Sequence, residues 1–207
     1  MAGIAEPGKL QRELERRMTP LLDTITALAF AIEAKDPYTR GHCEEVSWWA
    51  TRIARQVGLS EPDIEDIKLA AIVHDIGKIN VPEDVLQKPT LLTVEEFGRM
   101  KRHAAWGAKI LENLKEKRIA RIVRHHHERY DGTGYPDHLQ GEEIPLGARI
   151  VAVAESFHCM VRGSRYKSAR TVEDALTELR RCSGTQLDAR VVLAFLDWLG
   201  TLGEDSD

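Results

Sequence analysis

Four segments of this chain have helical periodicity, and each carries a histidine on or beside its apolar stripe. His74 follows Ala70 and Ala71 at i−4 and i−3, and Ile67 at i−7. His126 continues the stripe of Ile119, Ile122 and Val123. His103 comes after Met100 and before Trp106, Gly107 and Ile110, and His42 precedes Val46 and Trp49. Residues three, four and seven apart share one face of a helix, so a fold that buries these stripes buries four imidazoles with them. Asp75 adds a carboxylate about 100° round the helix from His74. Taken singly, such a histidine is most often a core residue with a backbone partner, and Asp75 alone is a cap or a surface charge. Taken together, burying so many imidazoles and carboxylates without partners is costly. A shared metal centre removes that cost, because ring nitrogens and carboxylate oxygens become ligands.

The rest of the chain reads as helix almost throughout, with no period-2 stretch. Helices are expected over about 20–35, 42–57, 61–75, 94–112, 117–128, 146–162, 171–182 and 188–200. This predicts an all-α bundle of seven or eight helices. Thr19-Pro20 pairs a capping hydroxyl with proline at the first helical position, and Pro145 opens the helix from 146. Ser60 to Asp63, Thr93 to Glu96 and Thr171 to Asp174 resemble capping boxes. In the 146–162 helix, Leu146, Ile150, Val153 and Phe157 form one stripe, and Glu155 lies opposite among Ala148, Val151, Ala152 and Cys159. A helix apolar nearly all round is expected to be buried. Glu155 then needs either a metal cation or a salt bridge to Arg149 or Arg162. His125 reads as a surface residue and His138 as a loop residue. The loops 76–92 and 129–144 directly follow the clustered histidines, where function tends to collect.

A length of 207 residues, 43% of them hydrophobic and 30% charged, fits one domain with short appendages. We assign 1–18 to an N-terminal linker helix, 19–201 to the domain and 202–207 to an acidic tail. The net charge of −4 argues against binding a nucleic acid polymer. Cys43, Cys159 and Cys182 have no paired spacing and read as reduced thiols of a cytoplasmic protein. No apolar run approaches the roughly 20 residues that insert across a membrane. The opening residues lack the apolar core of a signal peptide and suit a linker following a sensor domain.

Several motifs in order resemble the HD-GYP domain, a branch of the HD phosphohydrolase superfamily that hydrolyses cyclic di-GMP. They are "KDPYTRGHCEEV" with His42, "HDIGK" from His74, "MKRHAAWGAKIL" with His103, "HHERYDGTGYP" from His126, "IPLGARIVAVAESF" with Glu155, and "GTQLDARVVLAFL". The resemblance runs from about Leu22 to Leu196. It implies a site in which His42, His74, Asp75, His103, His126, His127 and Glu155 hold two divalent metal ions, with Asp75 bridging them. The mixed nitrogen and oxygen donors point to iron or manganese. Asp75 and Lys78 would be catalytic, Lys78 by neutralising the phosphate. Lys78, Tyr135, Arg165 and Lys167 would contact the substrate. The DGTGYP loop would recognise cyclic di-GMP or a signalling protein partner, and the resemblance implies an upstream sensor domain or a homodimer as further partners.

Two departures from the family pattern stand out. Glu155 replaces a usual aspartate, and His158-Cys159 replace a usual aspartate-alanine. The family's "RPYR" becomes Ser164-Arg165-Tyr166-Lys167. These keep open a degenerate domain that binds metal or nucleotide and signals through protein contacts. A general nucleotide phosphohydrolase is the third reading, and the GYP loop argues against it.

Overall fold

The computed structural model describes residues 23–35, 41–112, 117–163 and 168–204. The chain is all-α: among the described residues no strand forms, and only an isolated parallel bridge joins Ser183 to Leu187. Helix α1 covers 23–33. Then come α2 (His42–Gln56), α3 (Glu61–Val73), a 3-10 turn (Ile76–Asn80) and the short α4 (Glu83–Leu86). Next are α5 (Val94–Lys101), α6 (His103–Leu111) and α7 (Lys117–His125). A second 3-10 turn (Gly141–Glu143) leads to α8 (Leu146–Arg162), α9 (Val172–Cys182) and α10 (Ala189–Glu204). Thr19-Pro20 and the expected 1–18 helix lie outside the described residues.

Local chemistry accounts for several helix starts. Thr93 and Glu96 close a capping box at α5, and Thr171 accepts the Asp174 N–H at α9. Ser60 differs: its hydroxyl bonds the Asp63 carboxylate rather than the backbone. Pro145 directly precedes α8.

Helix α2 packs on α3 and α8, α7 packs on α3 and α6, and α10 closes over α2, α8 and α9. In α8, Ile150, Val151, Val153 and Ala154 are all fully buried, so the helix is covered on more than one face. Each such valine or isoleucine contributes about 1.5–3 kcal/mol of burial. Arg149 of α8 forms a buried ion pair with Asp188 and also donates to the Ile144 carbonyl at 3.0 Å. This ties α8 to the chain just before α10.

The helix ends differ from expectation in one consistent way. Periodicity predicts unbroken helices over 61–75, 94–112 and 117–128. The structure instead ends α3 at Val73, breaks the second helix between Lys101 and His103, and ends α7 at His125. At each break a histidine ring turns back on the preceding helix. The Nδ1–H of His74 donates to the Ala71 carbonyl at 2.7 Å, that of His103 to Met100 at 2.8 Å, and that of His126 to Val123 at 2.7 Å. The last four carbonyls of a helix have no intrahelical donor. The imidazole satisfies one of them, where a glycine cap would otherwise end the helix. Each bond contributes about 0.5–1.5 kcal/mol.

Gly77 sets how closely these helix ends approach. A Cβ on it would lie 2.0 Å from the His103 carbonyl oxygen and 2.5 Å from the Gly107 nitrogen, both backbone atoms. The turn after Asp75 thus presses directly on α6 and brings His74-Asp75 beside His103. Gly77→Ala is expected to cost at least about 1–3 kcal/mol, because neither neighbour can move aside cheaply. Urea denaturation of the variant measures this. Parent-like stability would show that the two backbones are not in contact.

Candidate metal centre

The three capping bonds have a chemical consequence. A neutral imidazole with its proton on Nδ1 has a lone pair on Nε2. His103 and His126 therefore face each other as two acceptors, their Nε2 atoms 3.4 Å apart. The Nε2 atoms of His74 and His103 both point at Asp75, 3.4 Å from its Oδ2 and Oδ1 respectively. His42 Nε2 lies 3.2 Å from His74 Nε2. Asp75 Oδ1 is buried without any hydrogen-bond donor. So many facing acceptors repel one another unless something positive lies between them.

Protons are a poor solution here. Burial lowers the pKa of His103 to about 4. Burial likewise holds His42, His126 and His127 well below the ordinary imidazole range. Burial is the largest influence on Asp75 and opposes its ionisation, but the Lys78 ammonium, 2.6 Å from its Oδ2, and the His74, His103 and His42 rings together outweigh it and hold the carboxyl well below its usual range. Metal cations fit better. Two donors bound about 2.1 Å from one ion lie about 3 Å apart, close to the separations seen. The donor atoms gather in three overlapping groups: His42, His74 and Asp75; His103, His126 and His127; and His74, His126 and Glu155. Asp75 offers one oxygen to each side.

Glu155 belongs to this cluster. Burial raises its pKa, as for a carboxylate lacking a countercharge. Its Oε2 is 4.0 Å from His127 Nδ1. Neither arginine weighed as its partner is available: Arg149 is engaged by Asp188 and Arg162 by Glu45. His158, one turn on, has its Nδ1 3.3 Å from Glu45 and its ring edge-on to His42, and it enters none of the donor groups.

The loop after His127 is folded back onto the site. A Cβ on Gly134 would meet the Arg129 nitrogen at 2.2 Å and Glu128 Cα at 2.5 Å, so only glycine permits this approach. Buried Glu128 accepts the Asp137 N–H at 2.7 Å. Arg129 grips Asp131, Thr133 and Gln186, and the backbone of Tyr130 and Asp131 bonds the carbonyls of Gln186 and Thr185. The Tyr135 ring then lies against His127, centroids 4.9 Å apart.

The expected ligands His42, His74, Asp75, His103, His126, His127 and Glu155 are thus drawn together, with Lys78 and Tyr135 beside them. Ser164, Arg165, Tyr166 and Lys167 lie outside the described residues. His125 is corrected: it is buried, donates from Nδ1 to the Arg121 carbonyl, and places Nε2 2.9 Å from Asp137. The loop that covers it is what the isolated sequence does not display. Two supporting residues were missed. Glu128 follows the histidine pair directly, but nothing local in the sequence marks it as the anchor of a loop nine residues on. Glu33 accepts the Cys43 N–H at 3.1 Å, serving the start of α2 where Gly41 offers no side-chain cap. Its partner is ten residues away, beyond any local capping pattern.

Comparison with known proteins gives the family of the chain. The HD domain family matches residues 26–191. A cyclic di-GMP phosphodiesterase of Thermotoga maritima is 42% identical over 85% of this chain and 49% of its own length. The cyclic di-GMP phosphodiesterase response regulator RpfG of Xanthomonas campestris pv. campestris is 45% identical over 84% of this chain and 47% of its own. The chain thus spans about half the length of these relatives. A crystal structure of a cyclic GMP-AMP specific phosphodiesterase from V. cholerae superposes with a TM-score of 0.69 at 20% identity, covering 87% of this chain and 49% of that one, and shares its fold. The chain belongs to the HD domain family, in its HD-GYP branch.

Glu128→Ala is expected to cost about 1–3 kcal/mol by leaving the Asp137 N–H without its partner. Faster hydrogen exchange at the Asp137 amide is the local readout. Unchanged exchange there would remove Glu128 as the anchor of the loop.

Proposed function

We propose that this HD-domain chain is a metal-dependent phosphodiesterase acting on cyclic di-GMP. The observation that carries the metal is the set of inward-facing acceptors around Asp75, in which His103 and His126 oppose lone pairs at 3.4 Å. The substrate class comes from the relatives, two of which are named for cyclic di-GMP. His42, His74 and Asp75 would hold one ion and His103, His126 and His127 the other, with Glu155 contributing between them. Iron or manganese suits this nitrogen-rich, carboxylate-containing set. When bound, two such ions supply Lewis-acid polarisation of a phosphodiester and lower the pKa of water.

The chain's own residues do the remaining work. Asp75 presents its two oxygens to the two halves of the cluster and holds Lys78 by a 2.6 Å ion pair. Lys78 thereby carries positive charge to the edge of the site, where it can stabilise charge gathering on phosphate oxygen. Tyr135 walls the site at His127 and limits access of water to that side. Arg165 and Lys167 would add phosphate contacts. The same loop, through its exposed Thr133, can serve a signalling protein partner.

A degenerate, purely signalling domain is less well supported, because Glu155 keeps its carboxylate within the donor cluster despite the extra methylene. No described helix is long and apolar enough to cross a membrane. The three free cysteines accord with a cytoplasmic setting.

Elemental analysis after anaerobic purification from metal-supplemented cells is expected to find about two iron or manganese ions per chain. Fewer than about half an ion per chain would contradict the metal reading. Asp75→Ala should lower cyclic di-GMP turnover about a hundredfold or more. Parent protein that cleaves ordinary nucleoside phosphates and leaves cyclic di-GMP intact would transfer the activity to the general phosphohydrolase class.

Glu155 supports a separate test. Glutamate is one methylene longer than the usual aspartate, so one ion would be held more weakly; Glu155→Ala should lose that ion, and Glu155→Asp should hold it more tightly and turn over faster. Equal metal content in both variants and the parent would show that Glu155 is not a ligand.

A further inference from the structure

Helix α5 buries none of its residues, yet a closed capping box holds its start. Met100 leans on the small cluster of Val81, Val85 and Leu86, whereas Phe97 is one of the exposed large hydrophobic residues. The residue is 46% exposed. Lys101 lies one turn on, at i+4, on the same face. Its ammonium is 4.7 Å from the Phe97 ring centroid and 5.2 Å from that of Tyr135. Among the described residues it is paired with no carboxylate. Tyr135 in turn rests on His127. A continuous row therefore leads from the metal-donor cluster to the surface: His127, Tyr135, Lys101, Phe97.

A nucleotide held by its phosphate at the cluster projects its base outward by the length of a sugar. The outer end of this row offers such a base two things. An exposed aromatic ring provides a stacking face. A neighbouring ammonium provides donors for the paired acceptors O6 and N7, which guanine has and adenine lacks. We propose that Phe97 and Lys101 form a guanine subsite, Phe97 stacking on the base and Lys101 donating to its O6/N7 edge. This rests on the cyclic dinucleotide reading above.

The test is calorimetric titration of the metal-loaded full chain with cyclic di-GMP and, separately, cyclic di-AMP. Parent, Phe97→Ala, Phe97→Trp and Lys101→Met are compared after their helix content is shown to be unchanged by circular dichroism. Phe97→Ala is expected to weaken cyclic di-GMP binding about tenfold, and Phe97→Trp to restore it. Lys101→Met is expected to weaken cyclic di-GMP about tenfold and cyclic di-AMP distinctly less. Parent-like affinity in Phe97→Ala overturns the stacking face while leaving the substrate reading intact. Equal weakening of both ligands in Lys101→Met overturns the guanine contact and leaves only general attraction to phosphate. A parent that binds neither ligand overturns both the substrate reading and the subsite.

Discussion

The structure depends on one short hydrogen bond made three times. His74, His103 and His126 each donate Nδ1–H to a carbonyl in the last turn of the helix before them. The bond ends the helix, fixes the tautomer and turns the Nε2 lone pair into the cluster, toward Asp75 for His74 and His103 and toward His103 for His126. Scaffold and site are therefore not separable here. The same proton that satisfies an orphaned helix carbonyl is what leaves the opposite ring nitrogen free to bind a cation. A flipped tautomer at any of the three would strand a carbonyl and withdraw a ligand together.

Other features preserve this convergence. Gly77 lets the turn after Asp75 lie flat on α6, so that Asp75 reaches His103 as well as His74. The Arg149–Asp188 pair ties α8 to the chain preceding α10 and leaves Glu155 without an arginine. Glu128, His125 and Arg124 converge on Asp137 and hold the glycine-rich loop against His127. The loop thus closes one side of the cluster, and the exposed face of α5 extends it outward.

Much of this was readable beforehand, for identifiable reasons. The histidine stripes follow from helical periodicity, and Glu155 stood out because α8 is apolar nearly all round. The capping residues Thr93 and Thr171 announced their helices locally. The helix ends were misread because the caps are imidazole rings, which carry no recognised stop signal, whereas glycine does. The arginine alternatives for Glu155 were resolved only by Asp188, 39 residues from Arg149, and by Glu45, 117 residues from Arg162. His125 looked like a surface residue because the loop that buries it comes later in the chain. Glu33 supports α2 through a backbone contact that no side-chain pattern encodes.

The central claim is that the facing acceptors around Asp75 are a two-cation site. Anomalous diffraction from crystals of anaerobically purified, metal-replete protein tests it most directly. The account predicts two anomalous peaks, one within bonding distance of His42, His74 and Asp75, the other within bonding distance of His103, His126 and His127, with Asp75 between them. Anomalous density absent from this cluster while metal is bound elsewhere on the chain would contradict it.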